Sequence, residues 1–135
     1  MTTHVIRGGR GSGKTLIMLQ LSCEKHIPIL VANRFRADAL ARQARALGFD
    51  YMPKPLTVHD MFHGDRLLGT NRDILIDDLD SVFNQIFHDV NVHAVTYTPA
   101  WNEFDLDKAN EEANIIIEKP LVDKNFINRF FKGEW

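Results

Sequence analysis

A glycine-rich run of eight residues near the start of the sequence constrains the fold more than any other feature. We call it the glycine loop: Gly8-Gly9-Arg10-Gly11-Ser12-Gly13-Lys14-Thr15. Residues 4–7 before it form a short, partly apolar run that is typical of a strand. Residues 15–24 after it contain good helix formers and no proline, which predicts a helix. The chain is therefore expected to begin with a strand, a tight loop and a helix.

The glycine loop has the residue types that bind phosphate groups when they lie between a strand and a helix. Glycines let the backbone turn left-handed and approach a ligand closely, so that successive amide groups form an anion-binding nest. We expect Lys14 to reach the β- and γ-phosphates of a nucleoside triphosphate, and the Thr15 hydroxyl to coordinate Mg²⁺. Backbone contacts are expected from Gly8, Gly9, Gly11, Ser12 and Gly13. Arg10 lies at the crest, where it either joins this set or faces solvent; a glycine-rich turn with a chance lysine is the simpler alternative.

A second pattern is an apolar run that ends in acidic residues, Asp73-Ile74-Leu75-Ile76-Asp77-Asp78. A carboxylate at the end of a buried strand can hold Mg²⁺ directly or through water. Asp77 is therefore the predicted metal ligand, together with Thr15. Asp78 follows it directly. The alternative is that both acids cap the next helix.

Strand-like and helix-like segments alternate over the rest of the chain. We predict strands at 27–32, 56–58, 73–77 and 92–97, and helical segments at 37–47, 59–62 and 79–87. Gly48 is the expected stop of the second helix. Alternation of this kind predicts an α/β fold with three α/β/α layers, a mainly parallel sheet of about five strands, and ligands at the carboxyl ends of the strands.

The C-terminal part is less regular. Residues 105–113 are polar and predict a helix, residues 115–117 a further strand, and the apolar spacing over 126–131 an amphipathic helix. We expect one domain over residues 1–135. Within it, residues 100–135 form an extension that packs on the core or docks a partner through its aromatic end.

The two motifs together make the sequence resemble the P-loop NTPases. Gly8 to Thr15 is similar to their Walker A motif and Ile74 to Asp78 to their Walker B motif, and the strand and helix between the motifs resemble RecA-like and helicase-like ATPase cores. The resemblance covers residues 4 to about 98. It implies Mg-ATP binding and hydrolysis with Lys14 and Asp78 as catalytic residues. Asp78 stands where hydrolysing members commonly have glutamate, which leaves the rate of hydrolysis open.

Further consequences of the resemblance concern the base, the γ-phosphate and the partners. No Asn-Lys-x-Asp element for guanine is present, which favours ATP. A residue that senses the γ-phosphate falls at Thr96 or Thr98. A missing arginine is expected from another subunit or a protein partner.

Arginines cluster in the region where helicase-like ATPases touch nucleic acid: Arg34, Arg36, Arg42 and Arg45. Residues 1–72 hold 11 Lys and Arg against 5 Asp and Glu, a net charge of +6, whereas residues 73–135 hold 5 against 13, a net charge of −8. Such asymmetry is typical of a surface that faces a polyanion, although a phosphate site and a solvated acidic tail would also produce it.

The chain also looks like the small ATP-binding proteins of bacteriophages, which implies a DNA transaction such as phage replication. The alternatives are a nucleotide-binding regulatory or inhibitory module without turnover, and a small nucleotide kinase.

Other features restrict the class of protein. No apolar run approaches the roughly 20 residues of a membrane span, and the glycine loop leaves no room for a signal peptide, so we expect a cytoplasmic protein, in the host cytoplasm if phage-encoded. Cys23 is the single cysteine, which excludes an intrachain disulfide. His59 and His63 have the spacing of a zinc pair but lack the further ligands of a zinc site.

Overall fold

The structure is a computed structural model that describes residues 3–63, 73–98 and 102–112. About 47% of these residues are helical. The helices are α1 (Lys14–Lys25), α2 (Arg34–Ala46), α3 (Val58–His63), α4 (Leu79–Ile86) and α5 (Leu106–Glu112). The strands are β1 (His4–Arg7), β2 (Ile29–Val31), β3 (Leu56–Thr57), β4 (Leu75–Ile76) and β5 (Asn102–Asp105). The fold is therefore mixed α/β with short strands.

The chain divides into two compact units. The first unit comprises Met1–Ile17 and Ala94–Trp135, and the second comprises Met18–His93. In the first unit β1 and β5 form a parallel pair, with His4 opposite Asn102. In the second unit the strands lie in the order β3-β2-β4, and both pairs are parallel. The predicted parallel pairing is confirmed, but the described strands form two small sheets and not one sheet of about five strands.

The second unit is built around β2. Its three residues, Ile29–Val31, are all buried, because the strand has a neighbour on each side and helices pack against it. Leu30, Leu56, Val58 and Val82 form one core cluster. Helix α2 adds a buried face made of Ala37, Leu40 and Ala44. The continuous apolar run in the sequence thus corresponds to a strand covered on both faces, as expected.

Most predicted elements before residue 90 lie where the pattern placed them. Helix α2 begins three residues earlier than predicted, at Arg34, because the Asn33 side chain accepts a hydrogen bond from the Arg36 N–H at 3.0 Å and caps the helix. It ends at Ala46, before Gly48, as predicted. The strand predicted at 56–58 is present as β3, over Leu56–Thr57.

The prediction of a strand at 92–97 is wrong. These residues lie in no strand, and every side chain from Val92 to Thr98 is exposed. Valine, threonine and tyrosine favour strands where a neighbouring strand and a buried face are present, and within the described part of the chain residues 92–97 have neither. The fifth described strand is β5, which the sequence did not predict. The elements predicted at 115–117 and 126–131 lie outside the described residues.

A reciprocal pair of hydrogen bonds fixes the start of α3. The Thr57 N–H donates to Asp60 Oδ2 at 3.1 Å, and the Asp60 N–H donates to Thr57 Oγ1 at 3.0 Å. This is the arrangement of a capping box, with aspartate in place of the usual glutamate. The bond from the Thr57 N–H is the main cause that lowers the pKa of Asp60 below its ordinary value of 3.8.

The Asp60→Ala variant is expected to lose about 1 kcal/mol of unfolding free energy at neutral pH, as for other lost helix caps. The carboxylate is the form that accepts these bonds, so its contribution is complete above the ordinary pKa. It is lost as the pH falls through the lowered pKa of the folded state. Urea unfolding of both proteins between pH 7 and pH 3 measures this difference. Asp38→Ala, at an exposed position in α2, is the control, and an equal loss in that variant would contradict the capping role.

Candidate functional site

The glycine loop joins β1 to α1 and has a left-handed backbone at two positions. Gly11 has φ of 73° and Gly13 has φ of 96°, with Ser12 between them. The Ser12 N–H donates to Gly9 O at 3.3 Å and closes the turn, and α1 begins at Lys14. Alternation of this kind makes backbone N–H groups converge, and the first turn of a helix adds amides without intrahelical partners. The loop therefore has the backbone geometry of an anion nest.

The two halves of the glycine loop approach each other at Gly8. A Cβ atom at this position would lie 2.5 Å from Ser12 Oγ and 3.3 Å from Leu106 Cβ, so no side chain fits there. Ser12 is buried, and its Oγ has no hydrogen-bond partner among the described residues. The Ser12 hydroxyl is therefore a buried polar group without a described partner inside the loop, and such groups call for a polar partner.

The side chain of Lys14 lies across the first residues of the loop. Its Nζ donates to Gly8 O and to Gly9 O, the latter at 2.7 Å. Thr15 is half-buried in the first turn of α1, whereas Arg10 is exposed. An ammonium group at the N-terminus of a helix produces a positive potential that favours anions.

Helix α5 contacts the glycine loop through two side chains. The Gly9 N–H donates to both carboxylate oxygens of Asp107, at 2.9 and 3.2 Å. Asn110 Nδ2 donates to Ser12 O at 3.1 Å. The sequence pattern did not indicate either residue, because each lies 98 positions from its partner and belongs to no motif. The sequence indicated only that residues 105–113 form a polar helix.

Strand β5, which comes directly before α5, is joined to β1 by ion pairs as well as by backbone pairing. Arg7 contacts Asp105 at 2.9 Å and Glu103 at 3.2 Å. The Lys108 N–H donates to Asp105 Oδ1 at 3.1 Å, and this bond, with the Arg7 charge, lowers the pKa of Asp105. The helix that contacts the glycine loop is thus anchored next to β1.

Asp77 and Asp78 belong to the second unit, at the end of β4. The Asp77 N–H donates to Leu30 O at 3.2 Å, which places Asp77 directly after the strand. Asp78 is left-handed, with φ of 58° and ψ of 73°, and occupies the N-cap position of α4. Aspartate and asparagine adopt this conformation more readily than other side chains that have a Cβ. Asp78 therefore occupies the position that the capping alternative gave it, but its side chain accepts no hydrogen bond from a helix N–H.

The Asp78 carboxylate has two side-chain partners. Oδ2 accepts a hydrogen bond from Ser81 Oγ at 2.6 Å. The same oxygen forms an ion pair with Arg36 Nη1 at 3.2 Å. The structure thereby brings together a predicted catalytic acid and a predicted nucleic-acid contact. Both side chains of the ion pair are almost half exposed, at 44% for Asp78 and 49% for Arg36, so the pair contributes at most about 1 kcal/mol.

The remaining predicted site residues are all exposed. Arg34, Arg42 and Arg45 are exposed on α2. At 100° per residue their side chains lie within about 80° of one another around the helix. Thr96 and Thr98 lie in the irregular, exposed segment after α4 and not at a strand end.

His59 and His63 contact each other edge to face, with ring centroids 4.5 Å apart. Across residues 3–63, 73–98 and 102–112, no group of three or more His, Cys, Asp or Glu side chains is arranged to hold a metal ion. Magnesium in nucleotide sites often uses one or two protein ligands together with the phosphates, so such a site does not need three protein side chains.

Comparison with protein-family models, with curated proteins and with solved structures found no match to this chain. In the part of the chain that the structure describes, no helix has the length and the apolar character needed to cross a membrane.

Proposed function

We propose that this protein binds Mg-ATP through the glycine loop. The observation that carries the proposal is the left-handed backbone at Gly11 and Gly13 immediately before α1, with the Lys14 ammonium group beside it. Phosphate oxygens would accept hydrogen bonds from loop amides other than that of Gly9, which Asp107 holds. Lys14 would exchange its two carbonyl partners for the phosphates. Thr15 is the proposed Mg²⁺ ligand on the helix.

Hydrolysis is the proposed reaction, in the manner of RecA-like P-loop ATPases. Asp77 would hold Mg²⁺ and Asp78 would orient the attacking water; both roles derive from the sequence pattern. Lys14 would stabilise the charge that develops on the phosphates. A second copy or a protein partner would supply the arginine that this class of reaction uses. The protein would act where ATP is available, in the cytoplasm.

The proposed biological role is a DNA transaction such as phage replication. The exposed Arg34, Arg42 and Arg45 on α2 support it, because they can contact phosphates of the DNA backbone without reading its sequence. Such contacts would weaken as salt increases. One observation favours the second candidate function, a nucleotide-binding module without turnover: the Asp78 carboxylate is already engaged by Arg36 and Ser81.

The test is a titration of the protein with ATP, ADP, AMP and adenosine in the presence of Mg²⁺, followed by phosphate-release assays with and without single-stranded DNA. A site that binds through phosphates should bind ATP and ADP at least about tenfold more tightly than AMP, because each charge-assisted hydrogen bond adds about 1.5–3 kcal/mol. Equal affinity for all four ligands would contradict the proposal. Phosphate release stimulated by DNA would support the ATPase, and tight binding without release would support the module.

A further inference from the structure

We infer that Asp107 and Asn110 are positioning residues that hold the glycine loop in its binding conformation. Asp107 accepts the Gly9 N–H with both carboxylate oxygens, and Asn110 donates to Ser12 O. These contacts fix the loop at two points, on either side of Arg10 and Gly11. The inference rests on the proposed function, because it assigns these residues to the same phosphate site.

The spacing of the two residues makes the double contact possible. Positions three apart lie on the same face of a helix, so Asp107 and Asn110 reach the loop together. Leu106, directly before them, is fully buried, and its Cβ would lie 3.3 Å from a Cβ at position 8. The helix therefore lies close to Gly8, and it makes polar contacts with the loop through Asp107 and Asn110.

The polar groups of Gly9 have three partners among the described residues. Its N–H donates to Asp107, and its carbonyl oxygen accepts from Lys14 Nζ and from the Ser12 N–H. If Lys14 turns towards a bound phosphate, the carbonyl loses that partner, whereas Asp107 can stay on the N–H. We therefore expect Asp107 to keep Gly9 in place in the nucleotide complex, which lowers the ordering cost of binding.

A different role for the Asp107 carboxylate would be to occupy an anion position and compete with phosphate. The two roles predict opposite effects of its removal. Loss of a positioning contact weakens nucleotide binding, whereas loss of a competing anion strengthens it. We argue for positioning because Asn110, a neutral side chain on the same helix face, makes the matching contact with Ser12 O.

The experiment compares four variants with the wild-type protein. Asp107→Ala removes the acceptor for the Gly9 N–H, and Asn110→Asp replaces the donor to Ser12 O by a second acceptor. Asp107→Asn retains an acceptor oxygen without the charge. Lys108→Ala, at an exposed position of the same helix, is the matched control.

We expect Asp107→Ala and Asn110→Asp to weaken the binding of ATP and ADP about tenfold each, with both a higher KM and a lower kcat for phosphate release. Asp107→Asn should restore affinity to within about threefold, and Lys108→Ala should match the wild type. Thermal unfolding of each variant verifies that it is folded. Unchanged or tighter ATP binding by folded Asp107→Ala would overturn the inference.

A second measurement separates this inference from the proposed function. Amide hydrogen exchange at Gly9 in the nucleotide-free protein reports the contact directly, and Asp107→Ala should accelerate it at least about tenfold. If exchange accelerates in this way but the wild-type protein does not bind ATP, the proposed function is overturned. The contact between α5 and the loop would still be established. Gly9 exchange that is equal in both proteins would overturn the inference whatever the nucleotide result.

Discussion

The Lys14→Ala variant is expected to bind ATP about 10- to 100-fold more weakly than the wild-type protein, and to release phosphate at least about 100-fold more slowly. Lys14 supplies the single side-chain ammonium group that the described structure places on the glycine loop. Its loss removes charge-assisted hydrogen bonds to the phosphates in the bound state and more of them as charge develops during hydrolysis. Isothermal titration with ATP and a coupled phosphate assay measure the two effects.

Lys25→Ala is the control for this variant. Lys25 lies in the last turn of the same helix and is exposed, so it carries the same charge change without contact to the loop. We expect its ATP affinity to stay within about twofold of the wild type, as for other exposed substitutions. Equal affinities for Lys14→Ala and the wild type would exclude the glycine loop as the phosphate site.

Substitution of Asp78 by asparagine is expected to lower phosphate release about 100-fold or more while leaving ATP affinity within about threefold. The amide cannot act as a base or draw a proton from water. Asparagine suits this test because, like aspartate, it adopts the left-handed backbone found at position 78 (φ 58°). The backbone at the start of α4 is thus expected to be retained, and the substitution removes the negative charge of the side chain at position 78. Single-turnover hydrolysis at saturating ATP measures the effect.

Asp80→Asn provides the comparison for Asp78. Asp80 is exposed in the first turn of the same helix, two residues further on. It should keep phosphate release near that of the wild type. A similar rate in Asp78→Asn and the wild type would show that Asp78 only caps α4, which was the alternative interpretation of the acidic pair.

The local parts of the fold could be predicted because local chemistry decides them. Glycines at positions 11 and 13 permit the left-handed backbone that the loop adopts, and the apolar run around Leu30 favours a covered strand. Asn33, however, moved the start of α2 to Arg34, because a side-chain cap extends a helix beyond its apolar spacing.

The remaining parts depend on contacts between distant residues, which periodicity does not encode. Residues 92–97 have strong strand-forming side chains but pair with no strand among the residues that the structure describes, whereas Asn102–Asp105 become a strand by pairing with β1. The same pairing brings Asp107 and Asn110 to the glycine loop. A polar helix without a motif gives no indication of which backbone atoms it will contact, so the candidate site was incomplete at the level of the sequence.

The parallel pairing of His4–Arg7 with Asn102–Asp105 has a consequence for the order of events during synthesis. The partner of the first strand leaves the ribosome only after all of Met18–His93 has been made. That intervening stretch contains its own three-stranded sheet and hydrophobic cluster, so it can begin to fold while the N-terminal strand still lacks its neighbour. Closing a connection of this length is slow compared with local steps. The nascent chain is therefore expected to complete the contacts of its glycine loop last, so that the proposed ATP site is absent from an incompletely synthesised chain.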